Sequence, residues 1–175
     1  MKKLLILLVL MSSISAYEEP GILESNSIDL YSIDVELSLF GKSYHTNRDK
    51  DWNETNLGAG IGLALSKEKD DAWQMVISGG SYDDSYNEQA TYFLVGPRVT
   101  TGDKFGFHGT AGLFVGYLNG SDNKGAAIVP VVSVGYDWLD LCITADPFEK
   151  DATYADGRVT SKMVAVFVKM RLFTF

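Results

Sequence analysis

From residue 34 to Phe175 the chain repeats one pattern: about 8 to 12 residues in which apolar side chains alternate with small or polar ones, then a polar turn. Eight such segments are predicted, at 34–42, 57–66, 72–81, 90–101, 105–118, 126–136, 139–146 and 161–175. Each carries one apolar face, and no helical segment is long enough to cover those faces. Such strands are stable where the sheet closes on itself and its apolar face meets hydrocarbon. The chain is therefore expected to be all-β: an eight-stranded antiparallel transmembrane β-barrel of the outer-membrane type, covering 34–175 as one domain. It ends on Phe175, preceded by Phe173, as bacterial outer-membrane barrels commonly end.

The first residues supply the address. Lys2 and Lys3 precede an apolar run over 4–11, and Ser12, Ser13, Ser15 and Ala16 follow. That order marks 1–16 as a cleaved signal peptide, with an apolar run too short to span a bilayer. Residues 17–33 then form a periplasmic segment ahead of the barrel. Secretion and an even strand number together place the protein in the bacterial outer membrane. The net charge of −8 argues against nucleic acid as a partner. Cys142 is the single cysteine, allows no intramolecular disulfide, and reads as a small apolar side chain. No metal-ligand spacing, phosphate loop or Gly-x-Ser-x-Gly elbow occurs, so neither a cofactor nor a metal is expected.

Alternation also assigns the faces. Over 57–66, Leu57, Ala59, Ile61, Leu63 and Leu65 point outward, while Gly58, Gly60, Gly62 and Ala64 point inward. Over 105–118, Phe107, Leu113, Val115 and Tyr117 oppose His108, Thr110, Gly112 and Gly116. An eight-stranded barrel is normally just filled by its inward side chains. Glycine and alanine on that face leave room for a slender ligand such as an acyl chain, or serve only to let strands bend and approach. In the last strand Lys169 and Arg171 take the inward face, because a cation facing lipid is costly. Phe173 and Phe175 then fall out of phase, which a bulge near Leu172 repairs. Trp52, Trp73 and Trp138 fall at strand ends, as interfacial aromatics do. His108 is expected to be a satisfied interior polar group.

The turns at 67–71, 102–104 and 137–138 are short; the loops at 43–56, 82–89, 119–124 and 147–160 include the long ones and share the other, extracellular end. The hairpin over 79–96 carries Asp84 and Ser85 at its tip, and the neighbouring loop over 42–56 carries His45. Where adjacent tips meet, an imidazole, a carboxylate and a hydroxyl gather. Histidine is the natural base near neutral pH. Serine can act as nucleophile or as oxyanion donor, and aspartate can orient the imidazole or meet a lipid headgroup. In a barrel without activity the same residues are solvated loop positions and a turn former.

Tyr44-His45 is followed by Trp52-Asn53-Glu54 and Gly58-Ala59-Gly60-Ile61-Gly62; then come Asp84-Ser85-Tyr86-Asn87, Pro130, Ser133-Val134-Gly135-Tyr136, Pro147, and Met170-Arg171 near a terminal Phe. In this order and spacing the fragments resemble the lipid A palmitoyltransferases of the outer membrane (PagP), over most of the mature chain. The resemblance implies a monomeric acyltransferase that moves a palmitoyl-type chain from a phospholipid donor to lipid A, with the acyl chain held in the lumen. It implies His45, Asp84 and Ser85 as the catalytic residues and Gly96 as the floor of an acyl pocket that Gly58, Gly60 and Gly62 would line. Pro130 and Pro147 match its lateral gates, where a proline's missing N–H weakens the ladder. Two alternatives stand beside this: a non-enzymatic barrel of the OmpX kind with adhesive or shielding loops, and a lipid A deacylase or phospholipase.

Overall fold

The structure is a computed structural model that describes residues 32–47, 51–67, 72–102, 105–121, 124–145, 152–153 and 159–175. The expected signal peptide, nearly all of 17–33 and Pro147 lie outside the described residues. The strands are β1 (Ser32–His45), β2 (Thr55–Ser66), β3 (Trp73–Asp83), β4 (Gln89–Thr100), β5 (Phe107–Asn119), β6 (Lys124–Tyr136), β7 (Leu139–Ala145), β8 (Ala152–Thr153), β9 (Val159–Thr160) and β10 (Met163–Thr174). β8 and β9 pair only with each other; the other eight close an antiparallel barrel in the order β1-β10-β7-β6-β5-β4-β3-β2. At the seam Ile33 and Phe175 exchange two backbone hydrogen bonds of 3.0 Å. The eight-stranded antiparallel barrel read from the alternation is the fold, and no helix occurs among the described residues.

One end of the barrel, the turn end, carries the short connections, including a two-residue turn in which Asp137 adopts φ 54°, a conformation aspartate tolerates better than most residues. The other end, the rim, carries the two longest connections, 46–54 and 146–162, with two short ones, 84–88 and 120–123. Leu57, Ile61, Phe93, Leu113 and Val134 all point outward and are each more than half exposed, at 62, 51, 58, 53 and 60%. Together these residues give the barrel an outward-facing apolar girdle. Inside, Ala64, Val76, Leu94 and Phe114 form a buried cluster.

Two bulges set which side chains face the lumen. The β1–β10 ladder passes from Phe40↔Phe167 to Lys42↔Val166, so Gly41 is an extra residue there, and the β1–β2 ladder shifts at the same place. Glu36, Ser38 and Phe40 face the lumen on one side of it, and Ser43 and His45 on the other. Without that slip the period of two would turn His45 outward. On β10, Val35 pairs with Phe173 and Glu36 with Arg171, which leaves Leu172 as the bulged residue. This is the phase correction that the terminal phenylalanines required.

Lys169 faces the lumen as expected. Arg171 is on the same face of β10, paired with Glu36, but lies exposed at the turn end, where its Nη2 donates to the Asp137 carbonyl at 3.2 Å. At that level both solvent and a turn carbonyl are in reach, so the guanidinium has no need of the interior.

The half of the lumen near the turn end is filled by matched charge. Arg98 Nη1 lies 2.8 Å from Glu36 Oε1, and Lys169 Nζ lies 3.1 Å from Asp140 Oδ2 and 3.5 Å from Glu36 Oε1. His108 Nε2 sits 2.9 Å from Asp140 Oδ1, so it is a satisfied interior group. Arg98 also donates to Gln74, which donates to Asp34 at 3.2 Å. Arg98 and Lys169 face Glu36 and Asp140 here, the pairing under which buried charge is tolerated. A third buried carboxylate, Asp34, is held by neutral donors, Gln74 and the Thr174 hydroxyl at 2.6 Å.

Candidate active site at the rim

The other half of the lumen is hollow. A cavity of about 620 Å³ runs from His45 and Ser85 at the rim down to Glu36, Arg98 and Lys169. Its size is typical of small-molecule sites, roughly 300–1,000 Å³. Val129, Val131, Cys142 and Ala165 line one wall. On another, Phe40 packs against Tyr82, Tyr92 and Phe167 at ring distances of 5.3, 5.5 and 5.3 Å. The lining beneath the mouth is mostly apolar, and the polar groups gather at the mouth and the floor.

His45 is the last residue of β1 and not a loop residue. Its Nε2 lies 2.8 Å from Ser85 Oγ, and both residues are buried. Trp52 stacks on the imidazole at 4.3 Å and 8° between planes, and Tyr86 meets the indole edge-on at 5.4 Å. The indole Nε1 donates to the Asn47 carbonyl at 2.8 Å, which fixes the stacking plane. Trp52 is therefore a buried part of the site, whereas Trp73 and Trp138 are exposed at the turn end as interfacial aromatics should be. A flat stacked ring restrains the imidazole in the plane needed for proton transfer to or from Ser85.

Ser85 is presented by a turn that Asp84 builds. Asp84 Oδ1 accepts the backbone N–H groups of Tyr86 and Glu88 at 2.9 and 3.0 Å, an Asx-type turn. Asn87 sits at φ 62°, which asparagine adopts readily. Asp84 Oδ2 accepts the Ser121 hydroxyl at 2.6 Å and its N–H at 2.9 Å, tying this tip to the β5–β6 loop. Burial alone would raise the Asp84 pKa; the Ser121 hydroxyl and N–H, with the N–H groups of Glu88 and Tyr86, outweigh it and hold the carboxyl below its ordinary value. These bonds go to Tyr86, Glu88 and Ser121 and not to His45, so Asp84 holds the turn in place of orienting the imidazole.

The first loop straps the same tip from the other side. Asn53 N donates to the Ser85 carbonyl and Asn53 Nδ2 to the Asp84 carbonyl, both at 3.0 Å. Asn56 Nδ2 donates to the Asp83 carbonyl at 2.9 Å.

The expected pocket glycines divide. Gly62 borders the cavity, and a Cβ there would make only ordinary contacts, the nearest at 3.6 Å. Gly58, Gly60 and Gly96 are not part of its lining. A Cβ on Gly58 would overlap Ser81 and Tyr82, and one on Gly60 would overlap the Tyr92 hydroxyl. At Gly96 it would overlap the Leu113 carbonyl and press on Phe114 Cα at 2.8 Å. Those three let strands and aromatic rings approach, and the cavity floor is formed by Glu36, Arg98 and Lys169 instead.

The described β6–β7 ladder runs from Tyr136↔Leu139 to Val131↔Thr144. Beside it Thr144 Oγ1 donates to the carbonyl of Pro130 at 2.8 Å, and the proline has no N–H to give in return. The β4–β5 ladder is interrupted at Pro97, where it skips from Val95↔Val115 to Arg98↔Gly112.

A second histidine, serine and aspartate meet near the turn end, in a different geometry. Ser133 Oγ and His108 Nε2 both approach Asp140 Oδ1, at 3.2 and 2.9 Å. Hydroxyl and imidazole compete there for one oxygen, which is a structural arrangement and not a base beside a nucleophile.

Fold and site together define a small closed antiparallel barrel with a hollow half-lumen and a buried histidine–serine contact over its mouth. No protein-family model matches the chain, and no curated protein matches it.

Proposed function

We propose that the protein is an outer-membrane acyltransferase that moves a palmitoyl-type chain from a phospholipid to lipid A, in the manner of the PagP family. One observation carries the reading: the 2.8 Å contact between His45 Nε2 and Ser85 Oγ, buried over the mouth of a deep, mostly apolar cavity. The apolar girdle supports placement in a bilayer, with the rim loops on the extracellular side. Pro130 in β6, which has no N–H to offer a ladder, supports a lateral route by which a lipid chain enters from the membrane.

His45 is the base in this reading. As Ser85 Oγ attacks the ester carbonyl carbon, its proton passes to Nε2 and then leaves with the lysophospholipid. The lipid A hydroxyl next gives its proton to Nε2 and attacks the acyl carbon, and that proton passes to Ser85 Oγ as its bond to the acyl group breaks. A direct transfer uses the same contact differently. His45 takes the proton of the lipid A hydroxyl as that oxygen attacks the ester carbon, and Ser85 donates to the developing oxyanion. The imidazolium then returns the proton to the lysophospholipid oxygen as its bond to the acyl carbon breaks. An acyl group trapped on Ser85 in a single turnover separates the two. Asp84 is a positioning residue in both.

Mass spectrometry of lipid A and phospholipids from cells with and without the protein tests the function. Transfer yields a heavier lipid A and a lysophospholipid in step. Free fatty acid without heavier lipid A would make the protein a hydrolase, and unchanged lipids would leave a surface barrel of the OmpX kind.

A further inference from the structure

Two polar atoms in the upper cavity are left without partners. Ser43 Oγ and Asn56 Oδ1 are buried, and among the described residues neither has a hydrogen-bond partner. Both residues border the cavity, with Ser43 fully enclosed and Asn56 only 7% exposed. The amide of Asn56 is oriented by its Nδ2 bond to the Asp83 carbonyl, so the free atom is the acceptor oxygen. Burying such groups unpaired is costly, and native proteins seldom do so without a ligand or water to match them. The pair offers one hydroxyl that can donate and one carbonyl that can only accept.

The two residues lie close together in the fold. Ser43 N bonds the Glu54 carbonyl on the adjoining chain, and Lys42 pairs with Thr55, which places Asn56 on the diagonal from Ser43. Diagonal cross-strand neighbours stand about 7–8 Å apart, close enough for one small polar group to bond both side chains. Ser43 is also two positions deeper on β1 than His45, on the same inward face. At ~3.3 Å per residue and a barrel tilt of about 40°, that is roughly 5 Å further from the rim. Along a zigzag of ~1.5 Å carbon–carbon bonds this depth is about three to four carbons below the ester.

We infer that the chain bound in this lumen carries a hydroxyl near its carboxyl end, at about the third carbon, and that Ser43 donates to it while Asn56 accepts from it. A hydroxyl both accepts and donates through one atom, so one such group satisfies this donor and this acceptor together. The inference rests on the acyl-site reading proposed above and refines it: the palmitoyl-type chain is a hydroxyacyl chain, and the unsubstituted chain is the weaker ligand.

The test uses the refolded mature barrel in an amphipathic polymer and measures displacement of a fluorescent fatty acid by 3-hydroxyhexadecanoic and hexadecanoic acids. The hydroxy acid is expected to bind at least about tenfold more tightly, since a site built to bond a hydroxyl rejects the chain that lacks it. Ser43→Ala and Asn56→Ala are each expected to erase that preference while both acids still bind. Folding of the variants is read from their heat-modified gel mobility. Equal affinities in the unmodified protein, or a preference that survives in both variants, overturn the inference and leave a water as the partner of these atoms. A protein that binds neither acid overturns the acyl-site reading beneath it as well.

Discussion

At the turn end the lumen is packed with polar groups that satisfy one another; at the rim end it is hollow, and Ser43 Oγ and Asn56 Oδ1 have no partner among the described residues. The same strands build both halves. β1 supplies Glu36 to the filled half and His45 to the hollow one, with the Gly41 bulge between them. The difference teaches where each half spends its polar groups. Near the turn end they satisfy one another and seal the barrel, whereas at the rim they are held apart from one another by neighbouring loops and left facing a space.

The comparison breaks most visibly through activity. His45→Ala or Ser85→Ala is expected to lower transfer by about 10²–10⁴-fold while leaving the barrel folded. Assaying acyl transfer beside heat-modified mobility checks both halves of that statement. Full activity in either variant would remove the contact from the mechanism.

The filled half is expected to answer in stability instead. Lys169→Met strands Glu36 and Asp140 in the lumen without one of their two cations, at a cost of about 3–5 kcal/mol. Urea unfolding in lipid bilayers measures it. A loss near zero would mean that water reaches the layer and that the lumen is not sealed there.

The glycines sharpen the contrast between wall and floor. Gly96→Ala drives a Cβ into the β5 backbone and is expected to cost about 1–3 kcal/mol, like other overpacked sites. Gly62→Met meets no such obstacle and projects toward the floor, so it is expected to shorten the preferred chain by about two to four carbons with little loss of stability. Lipid mass spectrometry of the two variants decides between them. Shortening by Gly96→Met in a stable barrel, with none from Gly62→Met, would return the floor to Gly96.

The barrel was legible because a period of two, repeated eight times, admits few other folds. The Leu172 bulge was legible too: Lys169 demanded the interior and Phe173 the exterior, and those demands conflict without an extra residue. The Gly41 bulge was not, because the alternation of 34–42 gives no clash that a shorter strand would not also remove. Gly58, Gly60 and Gly62 look equivalent in sequence, yet Tyr82 and Tyr92, from other strands, occupy the space over the first two. Asp84 announced a turn from its own neighbours, but its tie to Ser121 depends on closure of the barrel. Trp52 at a loop position gave no sign that its ring would lie on His45 and not at a membrane surface.

The smallest expected effect is a pH dependence of the rim. The Asp84 pKa is lowered in the folded protein, so the ionised carboxylate is the form that Ser121, Glu88 and Tyr86 hold. Its contribution is complete above the ordinary aspartate value of 3.8 and is lost as pH falls through the lower, folded-state value. Protection of the Tyr86, Glu88 and Ser121 amides against hydrogen exchange should therefore decline in acid while amides of the Arg98–Glu36 layer are still protected. Asp84→Asn should weaken that protection at neutral pH and flatten its acid dependence. Glu88 Oε2 also accepts from the Ser121 hydroxyl at 3.0 Å, so Glu88→Gln serves as the control. An acid transition that persists unchanged in Asp84→Asn and vanishes in Glu88→Gln would move the knot from Asp84 to its neighbour, and with it the account of how Ser85 is held.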